Sequence, residues 1–424
     1  MRNLGWIGII TATWVSVSFL RSTTVQAAPV PPAKSPYGST MDQVIRVRIA
    51  PSVGIVAVRG LDLSITDARG THIGTRNLKQ TLFYCRNGKI QAVSVESGKS
   101  AFLIPPVRVD TPAGFLSVNS NPLREAIVLY SNSKTCEVVN HLSIEKYLIG
   151  LVNAEFSSKW SPEAIGAQVI AARSYAFYKI LESQKRHSHF DVESTVADQV
   201  YEGPLSEDHL ATHSVQKTRG VVLMVQAQEG LKPLKAFYHS TCGGETELPE
   251  NVWGTKQLGF KRRVRCLWCR KSPRFQWNAR LSSREILDGL SKGARAEGVP
   301  AGWPADWSTL MSRGQLVAVN EVLDPSVTRN SKIHLSIRDG SVKNGIFTLN
   351  VTAARFRAWL GNLTLKSTRF QIMPANGKWK VHGVGNGHGV GMCQWGAKTM
   401  GERGYRTTDI LKNYYPDAVL KKLW

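Results

Sequence analysis

From about Asp42 to Asn140, apolar and polar residues alternate in short runs. "QVIRVRIA", "GIVAVRG", "LDLSITDARG", "KIQAVSV" and "EAIVLYSN" are split by turn residues, the pattern of half-buried strands. The period then changes. In "LSIEKYLIGLVNAE" the residues Ile144, Tyr147, Leu148, Leu151 and Val152 fall at i, i+3, i+4, i+7 and i+8. That spacing predicts a helix with one apolar stripe, and Ser143 is placed to cap it. A second helix is predicted to begin at Ser161, with Pro162 at its first position. Its body, "EAIGAQVIAARSYAFYKILES", is apolar on nearly every face, which predicts a central buried helix.

Further on, "GVVLMVQ", "KAFYHS", "KIHLSIRD" and "GIFTLN" read as strands, and "TTDILKNYYP" as a final helix. Strands and helices do not alternate strictly, so the expected class is α+β. The expected organisation is a β-rich N-terminal part over 42–140 and a core over 141–424. Within that core, 261–274, "KRRVRCLWCRKSPR", stands out as a basic, cysteine-bearing loop.

The chain has 424 residues, 42% apolar and 20% charged, with a net charge of +23. That is a folded chain, with a surface that favours an anionic partner. The N-terminus narrows the choice. Arg2 precedes an apolar run, Leu4 to Leu20, and small residues stand at Val25 and Ala27, so residues 1–27 read as a cleavable signal peptide. The run is short for a membrane span. Residues 28–41 form a Pro-rich lead-in. Export to a periplasm or cell wall argues against nucleic acid and for an acidic envelope polymer.

Glu155 lies where the first predicted helix ends. The negative end of the helix dipole and burial both disfavour its charge, as a general acid requires. Arg173, inside the buried helix, must be paired. It is expected to stay apart from Glu155 or to be bridged to it, because direct contact would lower the acid's pKa. Near the C-terminus, "GHGVGMCQWGA" spans Gly387 to Ala397. Glycines at 385, 387, 389 and 391 would let backbone N–H groups approach a ligand closely.

"YLIGLVNAEFSSKWSPEAIGAQVIAARSYAFY" resembles the signature of the SpoIID/LytB family, the stage II sporulation protein D domain of bacterial cell-wall proteins. "DQVYEG", "TRGVVL", "FYHSTCGGETE" and "GHGVGMCQWGAKTMGERGYRTTDILKNYYP" resemble it too, in the same order. The resemblance covers about Val44 to Trp424 and is strongest after Leu142. It implies a peptidoglycan lytic transglycosylase that cuts glycan strands at the muramic acid linkage, leaves an anhydro-sugar end and uses Glu155 as its acid. It also implies that His239, Ser240, Gly387, His388, Gly389 and Gln394 line a glycan-binding cleft. The alternative is a non-catalytic wall-binding protein that modifies other wall hydrolases.

Cys242 and Cys393 stand where the family pattern usually has serine, which suggests one shared cause. With the Cys266–Cys269 CxxC they would make a Cys₄ site for one structural zinc. His239 is the alternative fourth ligand. Disulfides are the competing expectation in an oxidising compartment, and Cys85 and Cys136 could pair in the N-terminal part.

Overall fold

A computed structural model describes residues 43–424, except 75–76, 133, 324–328 and 341–344. The expected signal peptide and most of the Pro-rich lead-in lie outside the described residues. The fold is mixed α+β.

Among the described residues, the N-terminal part, joined by the short strand Val192–Glu193 from the core, forms two antiparallel-rich sheets. One has seven strands, in the order Val192–Glu193, Val44–Val53, Cys136–Ser143, Ala126–Ser131, Val107–Asp110, Ser64–Thr66 and His72–Gly74. The other has six, with Ile55–Gly60 and Gln80–Arg86 at its centre. Alternation along the strands explains the shared core: Val56, Val58, Phe83 and Cys85 are buried from one sheet, and Ile45, Val47, Ile127 and Leu129 from the other. Cys85 and Cys136 form a disulfide between the two sheets.

Strand Cys136–Ser143 runs directly into helix α1, Ile144–Glu155. Ser143 caps it by accepting the Lys146 N–H. Its stripe of Ile144, Tyr147, Leu148, Leu151 and Val152 joins the sheet core. Helix α2, Pro162–Lys185, begins at the Ser161 cap and is buried without a break from Ala164 to Ala176. One face of α2 packs on the sheet core. Ala167, Ile170 and Ala171 pack instead into a second cluster, with Leu223, Met392, Ala397, Ile410 and Tyr414.

A third cluster gathers only residues between Trp277 and Val381, including Ile286, Leu290, Ile333, Leu335, Phe356 and Trp379. It is built on two three-stranded sheets. Its first and last strands, Gln276–Leu281 and Lys378–Val384, pair antiparallel, with Gln276 opposite Val384. The apolar pattern drew no boundary around this unit. Among the described residues no helix is long and apolar enough to cross a membrane.

Candidate functional site

Glu155 is the last residue of α1, and Phe156 turns the chain into extended backbone at φ −163°. The glutamate is half-buried. Its Oε1 accepts the Val200 N–H at 2.7 Å, and the Tyr238 hydroxyl stands beside the same carboxyl group. Burial raises its pKa to about 7, while these two donors pull the other way. Arg173 is paired at the opposite end of α1. Its Nε and Nη2 reach Glu145 at 3.0 and 2.8 Å. Glu145 and Glu155 are ten positions apart on the helix, roughly 15 Å of rise. The one fully buried arginine on α2 therefore leaves the raised pKa of Glu155 intact.

Tyr238 and His239 form a two-residue strand parallel to Met392–Cys393, with Tyr238 opposite Met392 and His239 opposite Cys393. Adjacent strand residues point to opposite faces, so His239 faces away from the side on which Tyr238 meets Glu155. The two imidazoles share Val390. His239 Nδ1 donates to the Val390 carbonyl at 3.1 Å, and the Val390 N–H donates to His388 Nδ1 at 3.1 Å. Burial holds both rings neutral, His239 with a pKa of about 3 and His388 well below its ordinary value. His388 lies among aromatic rings, 5.1 Å from Trp253 and 5.5 Å from His239 between centroids. The Ser240 carbonyl accepts the Trp395 N–H at 3.1 Å. Gln394 is buried at the start of the helix Gln394–Glu402, and its amide nitrogen has no protein partner.

The glycines of this segment have an internal reason, which corrects the expectation of bare backbone offered to a ligand. The Gly387 N–H is used on the Lys366 carbonyl at 2.8 Å. Gly389 has φ +85°, and a Cβ there would overlap the Arg329 guanidinium. Gly391 has φ +72°, and a Cβ there would fall on the Phe237 carbonyl oxygen. Close approach is required, but by other parts of the same chain.

Cys242, Cys266, Cys269 and Cys393 are all buried, and their sulfur atoms lie within 4.8 Å of one another. His239 is not in this group. The loop 261–274 docks by short polar contacts. The Cys266 N–H donates to the Gly244 carbonyl at 2.8 Å, the Val264 N–H to Thr246 Oγ1 at 2.7 Å, and Ser272 Oγ lies 2.7 Å from Thr241 Oγ1. The sulfurs face donors. The Cys242 N–H lies 3.3 Å from Cys393 Sγ, and the Tyr414 hydroxyl 3.2 Å from Cys266 Sγ. This cluster and Glu155 are joined through one strand, which carries Tyr238 at the acid and leads into Cys242 four residues later.

Arg329 escaped the sequence reading. It is buried, donates to the Cys242 carbonyl at 3.1 Å and to the Gly387 carbonyl at 3.3 Å, and reaches in from the 277–381 unit. No local pattern marks it, because its partners are 58 and 87 residues away. Gln199 and Val200 were visible only as part of "DQVYEG". Their contacts with Tyr147, Tyr238 and Glu155 are long-range, beyond what periodicity reports.

Residues 132–225 match the model of the family described as SpoIID: Stage II sporulation protein. An uncharacterized protein of Brachyspira hyodysenteriae is 29% identical over 306 residues, covering 72% of this chain and 74% of that protein. Stage II sporulation protein D of Bacillus subtilis is 25% identical over 350 residues, 78% of this chain and 87% of that protein. The amidase enhancer of Bacillus subtilis is 28% identical over 301 residues, 64% of this chain but 40% of the larger protein. The matched segment holds both α1 with Glu155 and the buried helix behind it, and over that segment the chain is similar to the SpoIID family.

Proposed function

We propose that the protein is an exported lytic transglycosylase acting on peptidoglycan glycan strands at the muramic acid linkage, with Glu155 as general acid and base. One observation carries this reading: a half-buried glutamate at a helix C-terminus whose pKa is raised to about 7. Such a group holds its proton near neutral pH and can release it in the transition state. The proton goes to the glycosidic oxygen as the bond from the muramic anomeric carbon breaks. The resulting carboxylate takes the proton of that sugar's own primary hydroxyl. The hydroxyl oxygen then bonds to the anomeric carbon and closes the anhydro ring. No water is consumed, so no second carboxylate is needed to activate one, unlike hydrolysis. The aromatic segment around His388, with Ser240 and Gln394, is the proposed glycan-facing wall. The basic surface suits an acidic wall polymer.

The four thiols fit one zinc ion. Four sulfurs about 2.3 Å from a tetrahedral metal stand about 3.8 Å apart, and Cys242 Sγ and Cys269 Sγ are 3.5 Å apart. Cys242, Cys266, Cys269 and Cys393 would hold it with no open position, so the metal supplies structure and not chemistry. Nearby N–H and O–H donors, with buried Arg329, offset the charge of four thiolates.

Similarity to the amidase enhancer supports a second reading, a wall-bound protein that modifies other wall hydrolases. Glu155→Gln separates the two. In the first reading purified wild type releases anhydro-ended glycan from sacculi, and the variant binds wall but is nearly inert. Equal release by both proteins would overturn the assignment of Glu155. No release by either, with stimulation of an added amidase, would favour the second.

A further inference from the structure

We infer that Gln199 is a positioning residue that aims the hydroxyl proton of Tyr238 at Glu155. The inference rests on the reading of Glu155 given above. It starts from an amide whose orientation is determined by its surroundings. Gln199 is fully buried. Its Nε2 donates to the Ala172 carbonyl at 3.3 Å and to the Tyr238 hydroxyl oxygen at 3.0 Å. A backbone carbonyl can only accept, so the side of the amide facing Ala172 must be the NH₂. That choice decides the rest. Both amide protons are spent, and the Tyr238 oxygen is an acceptor toward Gln199. On the far side, Gln199 Oε1 must accept, and the Tyr147 hydroxyl donates to it at 3.0 Å. Tyr238 therefore keeps its own proton for its other partner, Glu155. Hydrogen bonds in such a chain polarise one another, so a tyrosine that accepts from an amide is a stronger donor.

The segment carrying Gln199 is built to hold still. Asp198 accepts the Tyr175 hydroxyl at 2.7 Å and the Glu193 N–H at 3.0 Å, and pairs with Lys179 at 3.0 Å. Val200 gives its N–H to Glu155. The Tyr201 hydroxyl donates to Asn140 at 3.2 Å. Three consecutive residues thus anchor, aim and contact the acid. The motif "DQVYEG" acquires a role that its sequence did not reveal. The titratable groups facing this site are Tyr147 from α1, Tyr175 and Lys179 from α2, Tyr238 from its strand, and Asp198 and Tyr201 from this segment.

Both donors favour the carboxylate form, so losing either raises the proton affinity of Glu155. The test titrates the Glu155 carboxyl by infrared difference spectroscopy on the full chain, with Glu155→Gln as the blank. The descending limb of the pH profile for sacculus cleavage is read in parallel. Tyr238→Phe is expected to raise the proton affinity about tenfold. Gln199→Met should raise it less, in the same direction. The double variant should match Tyr238→Phe alone, because the amide acts through the tyrosine. Gln199→Glu, which keeps the side-chain shape, should draw the Tyr238 proton to itself and raise the affinity further. An unmoved titration in Gln199→Met or Gln199→Glu overturns the proposal. So does a Gln199→Met effect that adds in full to Tyr238→Phe. The infrared titration needs no activity. If Glu155→Gln still cleaves glycan, the catalytic reading falls while the orientation of Tyr238 is still tested.

Discussion

Glu155→Gln is expected to make the protein more stable above neutral pH, in the same step that removes the proposed glycan cleavage. In the folded chain burial lifts the pKa from its ordinary 4.5 to about 7. The folded state therefore prefers the protonated group, and the unfolded chain ionises first. Below about pH 4 both states carry the proton, and the neutral glutamine mimics what is there. As pH rises through 4.5 toward about 7, the wild type loses stability relative to the variant. Above that range the gap is complete. At about 1.4 kcal/mol per tenfold of proton affinity, the interval between 4.5 and about 7 corresponds to roughly 3 kcal/mol. A glutamine carbonyl still accepts from Val200 and Tyr238, so little else changes. Unfolding of both proteins by heat or denaturant at about pH 4 and about pH 8.5 measures the gap at its two ends. The curves should nearly coincide in acid, and the variant should be the more stable in base. A gap of equal size at both pH values, or a variant less stable in base, would refute the claim that this carboxyl is held against its own ionisation.

Three further outcomes are expected. Glu145→Ala leaves the Arg173 guanidinium buried without its counter-charge and should cost about 3–5 kcal/mol in denaturant unfolding. Glu145→Leu combined with Arg173→Met should recover most of that loss, and a double variant as weak as the single would argue against the pairing. Gly389→Ala needs a left-handed alanine and also displaces Arg329, whereas Gly404→Ala has the same backbone requirement at φ +83° with open space beyond. The first should cost roughly 2 kcal/mol more than the second, and equal costs would mean that Arg329 yields freely. Protein purified without chelator should carry about one zinc per chain, lost with a fall in melting temperature in Cys393→Ser or on strong chelation; two disulfides among the four cysteines and no metal on mass analysis would replace that reading.

Local signals carried part of this architecture. The stripe from Ile144 to Val152 and the caps at Ser143 and Ser161 are short-range devices, and the helices stand where these place them. The continuous apolar character of α2 reported that it packs against two clusters at once. The convergence of Cys242, Cys266, Cys269 and Cys393 was legible because thiols are rare and their substitutions were paired. What escaped depends on contacts between distant segments. Arg329 is one of many arginines in a basic chain, and nothing beside it in sequence reveals a buried guanidinium. The glycines at 389 and 391 were read as openings toward a ligand because glycine reports missing volume without naming the neighbour that fills it. The 277–381 unit has ordinary strands and helices, and its separateness lies in which side chains touch.

The antiparallel pairing of Gln276 with Val384 places the entrance and exit of that unit side by side. In genetic terms it is a cassette, and a short linker could rejoin the chain once it was excised. Arg329 makes the excision far from neutral. The cassette leaves behind a glycine whose emptiness is shaped to a guanidinium that would no longer arrive, beside carbonyls that have lost their donor. A lineage could shed the unit only by refilling that space, and one that acquired it had first to clear the space. Because φ +85° keeps glycine at residue 389 with or without the unit, the refilling is expected from a neighbouring side chain, inherited together with loss of the cassette.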